Sequence, residues 1–238
     1  MVYLRSLLPS TTVYRYLYQS QLEELVSKSA LKLVRPHGWE DPHEKWWCDE
    51  LFRAGSALHD AQPYASCWTV RNMDEPFWRF YSCRCKPDSP PPPPAVRIRT
   101  TVRKLVQVLS QAVDFTPAKV FIGRVRYCSP DALEAAAKRM REGGGKEVAS
   151  EAANGLHMKR NAFRFEQEVR VLWIDKDKPR ENTSVPIDPL SLLDQVMIGP
   201  SKERGKVDEA RAMVMKLGVP QKLIDESTIY KTPGTFKR

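Results

Sequence analysis

The run Lys159–Trp173, KRNAFRFEQEVRVLW, alternates with a period of two from Phe163 onward. Phe163, Phe165, Gln167, Val169, Val171 and Trp173 fall on one side, and Arg164, Glu166, Glu168 and Arg170 fall on the other. Successive side chains of a strand point to opposite faces, so the pattern predicts a half-buried β-strand seated in a core by its apolar face. The charged face has two readings. It is either a solvated surface with cross-strand ion pairs, each adding ~0.2–1 kcal/mol, or a place where paired carboxylates meet a polar substrate.

Working outward from this strand, the chain alternates strand and helix signals without a regular βαβ rhythm. Val13–Tyr18 is rich in β-branched and aromatic residues and predicts a first strand with Arg15 at its centre. Ser20-x-x-Glu23 precedes Leu22, Leu25 and Val26 and predicts a capped helix. Leu31–Arg35 predicts a short strand stopped by Pro36. His37–Trp47, HGWEDPHEKWW, carries turn residues and three tryptophans, the pattern of a loop pinned to a core or a ligand. Tyr64–Val70 predicts another strand, and Asp74-Glu75-Pro76 opens a helix with Trp78 and Tyr81 on one face.

Pro87 and the run Pro90–Pro94 predict a stiff surface spacer. Beyond it come a strand at Val96–Arg99, a helix at Val102–Ala112, a strand at Val120–Tyr127 and an alanine-rich helix capped by Ser129-Pro130-Asp131. Gly143-Gly144-Gly145 predicts a flexible connection to the carboxylate strand. Gln195–Ile198, a helix over Glu203–Leu217 closed by Gly218, and a last strand supplied by Leu223-Ile224 and Thr228–Tyr230 complete the reading. The expected class is α+β, mixed sheets with flanking helices in a single domain over residues 1–238.

The chain carries 38 Lys and Arg against 29 Asp and Glu, a formal charge of +9, which favours an anionic partner or substrate. Five cysteines with no CxxC pair predict reduced thiols in a cytoplasmic compartment. The N-terminus lacks the apolar core of a signal peptide, and no apolar run approaches the ~20 residues that span a bilayer, so no membrane partner is expected. GxGxxG and P-loop patterns are absent, and the four histidines have no metal-ligand spacing.

Tyr14-Arg15-Tyr16, Asp41-Pro42-His43-Glu44, Ser66-Cys67-Trp68-Thr69, Trp78-x-x-Tyr81 and Phe165-Glu166-Gln167-Glu168-Val169-Arg170 occur in a familiar order, closed by Ile198-Gly199-Pro200. Over residues 13–200 the chain resembles a bacterial domain family grouped with the ADP-ribosyltransferase-like superfamily. The resemblance implies that NAD is the substrate and that no metal is needed. It implies Glu168 as the catalytic glutamate, with Glu166 two residues before it. Arg15 would contact the NAD ribose or phosphates beside Tyr16, Thr69 would stand for the mid-chain hydroxyl motif, and Tyr81 and Trp78 would offer the nicotinamide a stacking face. No Ser-Thr-Ser triplet exists here; Cys67-Trp68 replaces its first two positions.

Two carboxylates on one strand fit transfer to an acceptor better than NAD hydrolysis. The acceptor would be a nucleic acid, first in line from the net charge, or a protein. Lys159 and Arg160 are the expected phosphate contacts. The setting the resemblance implies is a toxin or phage-defence effector, with a neutralising antitoxin as partner. The competing readings are a non-enzymatic nucleic-acid-binding module and a degenerate NAD-binding member of the superfamily.

Overall fold

The computed structural model describes residues 2–39, 41–56, 58–72, 75–82, 93–113, 116, 118–142, 148–175 and 180–230. Strands β1 (Val2–Arg5), β2 (Thr12–Leu17), β3 (Ala30–Val34) and β4 (Gln62–Thr69) alternate with helices α1 (Gln19–Ser27) and α2 (Pro42–Phe52). Then come α3 (Glu75–Ser82), β5 (Val96–Thr101), α4 (Val102–Val113), β6 (Lys119–Arg124), β7 (Arg126–Cys128), α5 (Pro130–Glu142) and α6 (Val148–Leu156). The chain continues through β8 (Met158–Arg160), β9 (Glu168–Asp175), β10 (Asn182–Pro186), α7 (Pro189–Leu192), β11 (Gln195–Ile198), α8 (Arg204–Lys216) and β12 (Ile224–Glu226).

Among the described residues, ten strands form one mixed sheet whose main path runs β1-β6-β9-β4-β2-β5-β11-β12, with β3 and β10 branching from β4. The α+β expectation holds. The sheet is nearly divided in the middle. β4 pairs with β9 from Gln62↔Asp175 to Thr69↔Glu168, and β2 pairs with β5 along its whole length. Between β2 and β4 the register holds the single pair Tyr14↔Thr69. Two half-sheets therefore diverge from one row of residues, Tyr14–Thr69–Glu168. A cleft opens where they part.

The two larger of three apolar clusters among the described residues fix the half-sheets. Val169, Val171 and Trp173 of β9 join Val13, Leu17, Val96, Ile98 and the apolar stripe of α4 in the larger one. On the opposite face of β9, Leu172 and Ile174 pack with Trp47 and Leu51 of α2, Leu133 of α5 and Leu156 of α6. Every residue of β9 is buried. Two of its three charged residues, Glu168 and Arg170, occupy the end of the α2-facing side, where apolar packing gives way to the cleft. The alternation of β9 itself is as the sequence predicts, but the charged face is covered by helices.

The strand does not begin at Phe163. Asn161–Glu166 is a 3-10 helix, and Gln167 takes the left-handed conformation (φ 42°) before β9 begins at Glu168. Phe163 and Phe165 thus leave the strand face, and Phe165 is exposed. The presumed loop over His37–Trp47 holds most of α2, started by Asp41, whose carboxylate accepts the His43 N–H at 3.0 Å, with Pro42 at the first helical position. α1 begins one residue early: Tyr18 N–H donates to Gln21 Oε1 at 2.9 Å, so Tyr18 and not Ser20 marks the turn. Val120–Tyr127 is split at Val125 into β6 and β7, α6 and β8 precede the 3-10 turn, and the final strand is only Ile224–Glu226. The triglycine and most of the proline run lie outside the described residues.

Candidate active site

The cleft between the half-sheets encloses about 860 Å³. Glu44, Cys67, Thr69, Lys159, Glu166, Glu168 and Arg170 line its charged side, and Tyr14, Tyr16, Phe77, Phe80, Phe163 and Phe165 line its aromatic side. Glu168 and Glu166, the predicted carboxylate pair, are both present. They arrive by different routes: Glu168 is the first residue of β9 and Glu166 the last of the 3-10 turn.

Glu168 is held tightly. Arg170 Nε donates to its Oε1 at 2.8 Å and the same guanidinium donates to its Oε2 at 2.9 Å. Its backbone N–H donates to the Tyr127 hydroxyl at 2.8 Å. Burial on its own would raise the carboxyl pKa, but Arg170 and Lys159 outweigh it and hold the group down at about 2. Glu166 behaves oppositely. Burial raises its pKa, Glu168 and Glu44 add to the rise, and the Lys159 ammonium at 2.7 Å opposes it without cancelling it.

Arg170 is 1% exposed and commits its donors to protein. Besides Glu168 it bonds Glu44, donates to the Leu156 carbonyl at 2.7 Å, and stacks on the Trp39 ring with 4.2 Å from its central carbon to the ring centroid. Lys159 contacts Glu166 at 2.7 Å, Glu44 at 3.3 Å and Glu168 at 3.5 Å. Three carboxylates face two cations here. Next to them Arg160 pairs with Asp41 at 2.9 Å. Of the two expected phosphate contacts, Lys159 is buried among carboxylates and Arg160 is partly exposed and paired with Asp41.

Thr69 is also buried. Its hydroxyl donates to the Glu166 carbonyl at 2.6 Å and accepts the Arg71 N–H at 2.9 Å, fixing the junction between the 3-10 turn and β9. Arg15 reaches the cleft with its guanidinium 5.8 Å above the Trp68 ring; strand alternation puts it on the opposite face of β2 from Tyr14 and Tyr16. Tyr16 lines the cleft and stacks on Phe77, with centroids 5.0 Å apart. Trp78 is 1% exposed and meets the edge of Tyr16 at 4.8 Å, beneath Gly199, where a Cβ would come within 3.0 Å of its ring. Trp78 is thus core support and does not line the cleft. Tyr81 lies in α3, and its side chain falls outside the described residues.

Sequence reasoning overlooked Glu44, Trp39 and Tyr127 as site residues. Glu44 had a signal, because Asp41-Pro42-x-Glu44 is a helix start that aims an acid from the first turn. Tyr127 had none, since its hydroxyl meets Glu168 only through the pairing of β7 with β8, Tyr127 facing Lys159. The described residues contain no cluster of metal-ligating side chains, and no described helix is long and apolar enough to cross a membrane.

No protein-family model and no curated protein sequence matches this chain. Among solved structures it is similar to Thermus sp. 2.9 DarT in complex with ADP-ribosylated ssDNA, at 12% identity and a TM-score of 0.39, over 94% of this chain and 97% of that one. It is similar to the same protein in complex with NAD+ at 11% identity and a TM-score of 0.38, over 93% and 98% of the two chains. An overlap this loose supports no functional statement.

Proposed function

We propose that the protein is an NAD-dependent ADP-ribosyltransferase whose reaction centre is Glu168. The observation that carries this reading is the row Tyr14–Thr69–Glu168, which brings a carboxylate held ionised at neutral pH to the floor of a cleft between two diverging half-sheets. Breaking the nicotinamide–ribose bond builds positive charge on the sugar carbon, as in glycoside hydrolysis. A fixed anion facing that carbon stabilises the charge without reorganising, an effect worth on the order of 3–4 kcal/mol. The Glu168 carboxylate accepts from Arg170 and the Cys67 thiol, and its two oxygens have acceptor capacity beyond these for a ribose hydroxyl.

Glu166 suits a second task. Its raised pKa and greater exposure, 22% against 6% for the Glu168 side chain, fit a base that takes a proton from an incoming nucleophile. Two carboxylates with pKa values pushed apart is a common division of labour in active sites. Arg15 supplies a guanidinium for the pyrophosphate, and the aromatic side of the cleft offers planar surfaces for the nicotinamide. The acceptor is a macromolecule, with nucleic acid favoured by the formal charge of +9.

NAD labelled in the nicotinamide and, separately, in the adenine separates the steps. The protein should release nicotinamide, and the adenine label should move to nucleic acid or protein added to the assay. Absence of nicotinamide release at any acceptor tested would overturn the reading.

A further inference from the structure

We infer that Glu44 is a positioning residue for Glu168, acting through Arg170; this rests on the transferase reading above. Glu44 sits in the first turn of α2, remote in sequence from β9, yet it contacts both cations of the cluster. Its Oε1 bonds the Arg170 guanidinium, and its Oε2 lies 3.3 Å from Lys159 Nζ. The same Arg170 end nitrogen that donates to Glu168 Oε2 also donates to Glu44. Arg170 therefore cannot turn away from Glu168 without losing Glu44 too. Its remaining contacts, the Leu156 carbonyl and the Trp39 face, hold the plane of the guanidinium but carry no full charge.

Glu44 also decides the charge the cleft presents. With it, three carboxylates oppose Lys159 and Arg170, leaving one surplus negative charge beside the carbon that becomes positive. Without it, the cluster is balanced, and each cation must draw harder on Glu166 and Glu168. Neutralising Glu44 removes a repulsion that Glu166 feels, so Glu166 ionises more readily. The groups that set Glu166 are Lys159 from β8, Glu168 and Arg170 from β9, Glu44 from α2 and Tyr127 from β7. Asp41, the cap of α2, ties the same helix to Arg160 at 2.9 Å, so α2 is fastened to the catalytic segment at two points.

The test compares wild type with Glu44→Gln and Glu44→Asp in nicotinamide release, in NAD binding by calorimetry, and in the pH profile of kcat. Glu44→Gln should keep NAD affinity within about threefold while kcat falls roughly ten- to hundredfold, the scale expected when a reacting group is displaced by a fraction of an ångström. The acid limb of its kcat profile should move to lower pH. Glu44→Asp keeps the charge and should recover part of kcat, and it serves as the informative variant should the glutamine variant fold poorly. An unchanged kcat and profile in folded Glu44→Gln would overturn the inference, as would, in either folded variant, a loss of NAD affinity equal to the loss of kcat. A wild-type protein that releases no nicotinamide would remove the transferase reading and this inference with it, which is a different result from an active wild type that ignores Glu44.

Discussion

Two carboxylates in this molecule are held at about the same pKa, and they sit in opposite settings. Glu226, at the end of β12, is bonded by Arg204 at 2.8 and 3.1 Å and by Arg211 at 2.8 Å, and the Arg204 bonds are the main reason that it sits at about 2. Glu168 also sits at about 2, but burial works against it and two buried cations must overcome that penalty. Arg204 is 63% exposed, so the first cluster is a surface fastening of α8 to β12. Arg170 is buried, and the second cluster opens into a cleft beside a carboxylate whose pKa moves the other way. A depressed pKa does not mark a site. What separates the two clusters is that the second lines an accessible cleft.

The comparison breaks most visibly through activity. Glu168→Gln should lower nicotinamide release about 10²–10³-fold, since it removes the charge facing the sugar. It should also destabilise the fold by about 1–3 kcal/mol, because Arg170 is left with a weaker partner in a buried place. An activity near wild type would make Glu168 as structural as Glu226.

Acid stability sharpens the contrast next. His157 is buried against the Ala153 carbonyl at 2.7 Å, and burial, with Arg170 and Arg5 nearby, holds its pKa down at about 4. Because the folded pKa lies below the unfolded value of about 6.5, neutral His157 contributes stability that is complete above pH 6.5. About 3 kcal/mol of it should be lost as pH falls from 6.5 towards 4. Glu168 should then withdraw its own contribution between its ordinary value of 4.5 and about 2. Urea unfolding midpoints across this range check the order, and His157→Gln should remove the first loss only. A wild-type midpoint that stays flat from pH 6.5 to 5 would argue against a neutral buried His157.

Thr69→Val should cost about 1–2 kcal/mol, because the Arg71 N–H and the Glu166 carbonyl both lose the hydroxyl. Nicotinamide release should fall less than acceptor labelling, since it is Glu166 that loosens. Smallest of all, Glu226→Gln should cost at most about 1 kcal/mol and leave nicotinamide release unchanged. Thermal unfolding followed together with the activity assay distinguishes these two variants.

The strands were largely legible because β-branched and aromatic runs, bounded by Pro and Gly, have few other readings. β2, β4, β5 and β11 fall where their composition puts them. The error at Phe163–Glu166 is instructive: four residues of alternation also fit the end of a tight 3-10 turn, and only the left-handed Gln167 after it separates the two. No residue type at that position announces it. α2 was hidden by the tryptophans around its start, although Asp41-Pro42 is a good cap. Within the cleft, Glu168 heads the strand that the alternation marks and Glu166 closes the 3-10 turn before it, whereas the fate of Lys159 has no local signal. Burial of a lysine among three acids depends on α2 and β9 arriving from distant parts of the chain, which no local pattern records. The pairing of Arg160 with Asp41 is equally invisible locally, the two residues being far apart in sequence.

The central claim is that the cleft between the half-sheets receives NAD with its ribose over Glu168. A crystal structure of the wild-type protein with a carbocyclic NAD analogue, which cannot lose nicotinamide, tests it directly. The account predicts the analogue between the Tyr16–Phe77 wall and the Glu166–Glu168 floor, with a ring hydroxyl hydrogen-bonded to Glu168 and the pyrophosphate towards Arg15. An analogue seated outside this cleft, or a cleft that stays free of it at saturating concentration, would contradict it.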